Sequence, residues 1–425
     1  MLRNLKTSDY RRLLLAAAVV ALLLWVASRR TFFGDTISSP FLAIALFSIF
    51  LILVRTGPSW KELLGVAVVF LLIASVDLRI VGYKASWPVW ASFLGIASLG
   101  GLSFRVLWRE AEERRIAAWT LGPAFLFVGS EWMASYLLDW TERTHPKVLD
   151  LYLYSFDASL HVQFPFVFGR WFAQYQIFGL VSFFIYIGLP IAIGLTYAGC
   201  LVRDRKNALP ALIALLLAGP VGILFYNLLP ALGPAHIFLR GFPWQPLSYA
   251  QASRLFLEPV AVAGPRNAFP SLHAAWAFLV FWYARNLSLG ERVIAGVFVS
   301  FTLFATLGTG EHYFVDLIVA VPFALMIIAI AEAVPRRALK ETAVPLMLGL
   351  GLTLAWILAL RYSPKFFWVS PAVPWGASLM TLFCSYVAGR RLLDANHSSG
   401  TILHNPERES TPETKCSVPA VASTE

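Results

Sequence analysis

The sequence predicts an all-α, polytopic integral membrane protein with about twelve transmembrane helices. Composition points there first: 58% of the 425 residues are hydrophobic and only 14% are charged. A soluble domain is roughly half apolar and about a quarter charged. The apolar residues also lie in long blocks separated by short charged loops. A block of about 20 apolar residues is what a helix needs to cross the hydrocarbon core. Helices are the default spanning element because they pair their own backbone polar groups.

The blocks run in order along the chain. The first, 13–28, follows the basic start Arg3, Lys6, Arg11 and Arg12. Arg29 and Arg30 come immediately after it, which favours an uncleaved helix over a signal peptide. Blocks 40–54 and 62–77 flank Arg55 and Lys61. Blocks 88–107 and 117–138 flank Arg105, Arg109, Arg114 and Arg115. Blocks 174–201 and 209–231 flank Arg203, Arg205 and Lys206. Block 271–287 opens with Pro270 and the cap residue Ser271, a helix-start pair. Arg285 and Arg292 separate it from 291–309. Blocks 312–333, 343–360 and 370–388 complete the set, with Arg336, Arg337 and Lys340 after the first and Arg390 and Arg391 after the last.

With the N-terminus inside, 22 of the 34 basic residues fall on cytoplasmic segments, so both termini are expected in the cytoplasm. The net charge of +10 has the same origin. No basic stripe accompanies a known docking module, so no nucleic-acid partner is expected. Cys200, Cys384 and Cys416 lie far apart and form no metal or redox spacing.

The chain divides into N-terminal transmembrane helices (1–138), an aromatic outer segment (139–173), a central region (174–333), C-terminal helices (334–390) and a tail (391–425). The outer segment contains LDLYLYSFDASLHVQFPFVFGRWF and is expected to lie along the interface or re-enter it. The tail is polar and expected to be disordered.

Three stretches carry more than membrane character: Tyr226 to Pro234 (YNLLPALGP), Gly264 to His273 (GPRNAFPSLH) and Gly308 to Asp316 (GTGEHYFVD). Counting spans brings all three to one membrane face, the outer one. Ionisable groups at such depths are costly and often functional. His312 and Asp316 are four residues apart, on one helical face. A carboxylate beside an imidazole fixes its tautomer, as a nucleophilic or basic histidine requires. His273 supplies a second imidazole suited to protonating a leaving oxygen. The helix start at Ser271 offers backbone N–H groups for a phosphate, and Arg266 a bidentate grip on its oxygens. Asn267 and Tyr226 lie on the same motifs and join the candidate phosphate-binding set. The same residues also admit a structural His–Asp hydrogen bond or a zinc site, although no further Cys or His lies nearby.

FPSLH ending at His273, with GTGEHYFVD ending at Asp316, resembles the type 2 phosphatidic acid phosphatase superfamily. The pattern is most similar to its inositolphosphotransferase branch, which includes fungal inositol phosphorylceramide synthase. That branch has Pro-Ser-Leu-His and His-Tyr-x-x-Asp. The resemblance covers roughly 174–333 and marks that region as catalytic. It implies that His312 attacks phosphorus to form a phospho-histidine, Asp316 orients His312, and His273 is the general acid. Ser271 and its backbone would hold phosphate oxygens, and no metal or other cofactor would be needed. Two cationic positions of the superfamily are absent. Its Lys-x6-Arg-Pro motif is replaced by the Tyr226–Pro234 stretch, and Thr306 stands six residues before His312 where an Arg is usual. Arg266 is the first substitute, with Arg240 and Arg254 behind it.

The expected function is therefore a lipid phosphatase or phosphotransferase. Its partners would be a lipid phosphate and the surrounding membrane lipids. Short loops and the lack of an added targeting signal suggest a bacterial inner membrane. A transporter or flippase, or a non-catalytic relative, is the alternative.

Overall fold

The computed structural model of the protein describes residues 40–81, 86–336 and 339–402. The expected first span, 13–28, lies outside the described residues, as does the tail beyond 402. The described residues are almost entirely helical. The helices are α1 (Pro40–Arg55), α2 (Trp60–Val76), α3 (Trp87–Trp108), α4 (Ala111–Thr144), α5 (Asp150–Ser159), α6 (Phe164–Gln174), α7 (Gln176–Ile187), α8 (Leu189–Arg203), α9 (Arg205–Leu228), α10 (Pro234–Phe238), α11 (Tyr249–Ser253), α12 (Leu272–Ala284), α13 (Leu289–Gly308), α14 (Phe314–Arg336), α15 (Leu339–Tyr362) and α16 (Ala372–Ile402).

Local sequence sets several of these starts. Ser59 with Glu62 and Ser288 with Glu291 form reciprocal capping boxes at α2 and α13. Each box satisfies two backbone donors that the first helical turn leaves unpaired. The Ser271 hydroxyl caps α12 by accepting from Ala274 N–H.

Helix α14 is the axis of the bundle. Its spanning stretch has a mean hydropathy of 2.7 and is 83% buried. It packs against α9, α12, α15 and α16. A second apolar cluster joins α1, α2, α3 and the middle of α4.

The span count differs from the twelve expected. Six described helices are long and apolar enough to cross a membrane, or seven if α7 and α8 form one span bent by 53°. That pair covers the expected 174–201 block, broken at Gly188 ahead of Pro190. Helix α12, expected over 271–287, has only 13 residues. At 1.5 Å per residue this is about 20 Å, short of a 30 Å hydrocarbon core. Helix α1 is likewise short, at 16 residues. Helix α16 continues to Ile402 past the expected start of the polar tail at 391, keeping a buried face as far as Leu392.

The outer segment is structured. Beyond α4, Lys147–Val148 pairs antiparallel with Val260–Ala261, so the outer segment is tied to the connection between α11 and α12. Helix α5 is buried along most of its length. Helix α6 is amphipathic, burying Pro165, Phe166 and Gly169 while Trp171 stays exposed.

Candidate active site

Three motif loops meet at one end of the bundle and are joined through their backbones. Ala268 N–H donates to Ala231 O at 3.1 Å, Ala235 N–H to Gly310 O at 2.9 Å, and Ser271 N–H to Asp316 O at 3.3 Å. The approach is close enough to require glycine. Gly233 has φ of 112°, and a Cβ there would run into the Glu311 carbonyl.

His312 and His273 come together within this junction, their ring centroids 6.4 Å apart. His312 is 2% exposed. Its Nδ1 lies 2.9 Å from the Ala268 carbonyl oxygen and 3.4 Å from Asp316 Oδ2. A carbonyl only accepts, so Nδ1 carries the proton and Nε2 presents its lone pair. The nearer orienting group is therefore the Ala268 carbonyl rather than Asp316. Asp316 Oδ2 accepts from Tyr313 N–H at 2.7 Å, which shapes the His312 loop, and Oδ1 has no hydrogen-bond partner among the described residues. His273 stacks on Tyr186 at 4.1 Å between centroids, and its Nδ1 is hydrogen-bonded to the Tyr186 hydroxyl at 3.1 Å.

Two buried aspartates of α5, absent from the sequence-derived set, hold the motifs from outside. Asp150 accepts from Gly233 N–H at 2.7 Å, from Leu232 N–H at 3.1 Å and from the Tyr313 hydroxyl at 3.1 Å. Burial pushes its carboxyl up to about 6, although the Gly233 and Leu232 N–H groups pull the other way. Asp157 accepts from Phe314 N–H at 2.7 Å and Val315 N–H at 3.2 Å. It thus caps α14 from a different helix, where an anion also complements the helix dipole. Burial, and then the neighbouring Asp316, raise its carboxyl well above the ordinary range against those two N–H groups.

A cavity of about 490 Å³ opens beside His273. Its walls include Tyr226, Asn267, Leu272 and Glu311 from the motifs, Tyr186 and Pro190 from the bent pair, and Glu131 and Trp132 from α4. His312 neighbours His273 but does not itself line the cavity. Ser271 is fully buried at the α12 cap.

Arg266, expected to grip phosphate, does not line the cavity. Its Nε donates to His145 O at 2.8 Å and its Nη1 to Gly264 O, while its own N–H donates to Thr141 Oγ1 at 3.1 Å. Buried beside the end of α4, the guanidinium finds its acceptors in two backbone carbonyls and braces the motif loop. Arg240 and Arg254 are exposed and also lie away from the cavity lining. Among the described residues, no group of three or more His, Cys, Asp or Glu side chains is placed to hold a metal ion.

Residues 151–330 match the family model of the PAP2 superfamily. No curated protein and no solved structure gives a match. The PAP2 match begins in α5 and ends within α14, so it contains Asp157 as well as His273, His312 and Asp316. It reaches further upstream than the motif resemblance, which starts near 174, and takes in most of the outer segment. The PAP2 match suggests phosphatase or phosphotransferase chemistry on lipid phosphates. Two further neighbours of the site, Tyr186 and Glu131, sit in apolar blocks that carry no local motif.

Proposed function

We propose that the protein is a membrane phosphatase or phosphotransferase that acts on a lipid phosphate through a phospho-histidine on His312. The observation that carries this is the pairing of the two imidazoles at 6.4 Å, with the His312 tautomer set by the Ala268 carbonyl. The His312 ring thus stands next to the His273 ring that lines the cavity. His312 Nε2 attacks phosphorus, forming the N–P bond as the P–O bond to the leaving group breaks. His273, as the imidazolium with its Nδ1–H donating to the Tyr186 hydroxyl oxygen, gives its Nε2 proton to the departing oxygen and is left as the neutral imidazole. In the second half-reaction His273 takes the proton from a water or alcohol, whose oxygen attacks phosphorus and frees His312. Asp316 shapes the loop that presents His312. Tyr226, Asn267 and the α12 N-terminus, capped by Ser271, bind the phosphate-bearing group. Arg266 supports them through the loop backbone.

The largely apolar cavity walls suit a lipid. The inositolphosphotransferase-like motif FPSLH favours an alcohol acceptor over water. We place the site on the outer face of a bacterial inner membrane, with both termini cytoplasmic. The ion pairs Arg203–Glu291, Arg205–Glu112 and Arg109–Glu62 support this, since they collect at the bundle end away from the site. The test is incubation of purified protein with labelled lipid phosphates, comparing His312→Ala and His273→Ala. Normal turnover in both variants would end the proposal.

A second reading, a transporter or flippase, draws on the bent α7–α8 pair, because broken helices lining a cavity also occur in transporters. Lipid or solute movement that survives His312→Ala in proteoliposomes would favour it.

A further inference from the structure

We infer that the substrate headgroup carries an ammonium group, so that the lipid is a zwitterionic phosphodiester; this rests on the cavity being the substrate site of the proposed phosphoryl transfer. The cavity's charge inventory is the starting point. Two carboxylates, Glu131 and Glu311, line it, and among the described residues no Lys or Arg does. The cation the sequence offered, Arg266, is turned to backbone carbonyls instead. A phosphate monoester would bring about two negative charges into a confined space that already holds two carboxylates and, among the described residues, no lysine or arginine to offset them. A phosphodiester brings one, and an attached ammonium cancels it.

Glu131 points to the same class of ligand. It lies midway along α4, in the block expected to span the membrane, and has no hydrogen-bond or ion-pair partner among the described residues. An ionisable residue at such depth is retained for a function, with a partner to match. Glu311 has a neighbour in His236, at 3.6 Å, but both are about one-third exposed, at the rim. Glu131 is therefore the inner, unmatched charge. The walls around it suit an ammonium. Trp132, Tyr186 and Trp276 line the cavity, and a cation over the face of such a ring is attracted by its quadrupole. The cavity volume, about 490 Å³, fits one headgroup and the start of its acyl chains.

The experiment separates binding from chemistry. The His312→Ala protein, in nanodiscs, is offered phosphatidylcholine, phosphatidylethanolamine, phosphatidylinositol and phosphatidic acid of identical acyl chains. Binding is read by competition with a fluorescent lipid, and turnover of the parent protein by mass spectrometry of the released headgroup. The two amine lipids should bind at least tenfold more tightly than the other two. Adding Glu131→Gln should shrink that preference to under threefold, and Glu131→Asp should restore most of it, which separates a charge effect from a folding defect. Equal or tighter binding of phosphatidylinositol or phosphatidic acid overturns the headgroup assignment, as does a preference that survives Glu131→Gln. If phospho-enzyme forms on His312 while phosphatidic acid or phosphatidylinositol is preferred, the proposed function stands and this inference falls. If the amine preference holds and no lipid yields phospho-enzyme, the headgroup assignment stands and the phosphoryl-transfer reading falls.

Discussion

Asp157→Ala should damage catalysis from outside the cavity. Asp157 is 1% exposed and caps α14 through Phe314 and Val315 N–H, at 2.7 and 3.2 Å. Alanine would leave two buried donors unpaired, at about 1–3 kcal/mol each. Removing a buried carboxylate gives some of this back, since the ion was itself costly to bury. The net loss is then roughly 2–4 kcal/mol, a sizeable part of the 5–15 kcal/mol that holds a typical protein folded. His312 lies two residues before this cap. Freeing the first turn of α14 shifts its imidazole, and a displacement of about 1 Å can lower a rate about a hundredfold. Because Asp157 does not line the cavity, kcat should fall by about that factor while KM for the lipid stays within about threefold. Asp157→Asn keeps one acceptor and should fall between Ala and the parent. The assay pairs thermal unfolding in detergent with initial rates on a turned-over lipid. An Asp157→Ala protein with parental unfolding temperature and parental kcat would refute the capping argument.

Three further outcomes are expected. Gly233→Ala forces a φ of 112° on a residue with a Cβ and drives that Cβ into the Glu311 carbonyl; a loss of at least about 1–3 kcal/mol should appear in thermal unfolding. Tyr186→Phe keeps the stacked ring but loses the hydroxyl at His273 Nδ1, so kcat should drop about tenfold, part of the roughly 10²–10⁴ a positioned acid contributes, with a changed pH–rate profile. Asp150 takes up a proton near pH 6 when folded, against about 3.8 for the free group. A raised folded value means the folded form binds the proton more tightly. Its contribution is fully present below pH 3.8 and is lost as pH rises through 6, up to roughly 3 kcal/mol in all. Denaturation from pH 4 to 7 should show that slope in the parent protein and a flatter one in Asp150→Asn.

The helical membrane class was legible because it depends on composition and block length, which need no knowledge of contacts. The meeting of His273 with His312 was legible too, because two intervening helices return the chain to the same end. The number of spans was not, since hydropathy does not show that α12 stops at Ala284 or that the 174–201 block breaks at Gly188. Asp150 and Asp157 were hidden for another reason: their partners at 232–233 and 313–315 lie far along the chain, and nothing local marks them. Arg266 shows the limit of reading charge alone. Its type and motif fit a phosphate ligand, but the backbone of the folded loop supplies acceptors first.

The central claim is a covalent phosphorus–nitrogen bond on His312. The most direct measurement is rapid quench of the protein with phosphate-labelled lipid, under alkaline conditions that preserve phosphoramidates, followed by mapping of the labelled peptide. The account predicts label on the peptide containing His312, with none in His312→Ala and accumulation in a variant whose second half-reaction is slowed, such as His273→Ala with a good leaving group. Turnover of the lipid with no label on His312 at any time point would contradict it.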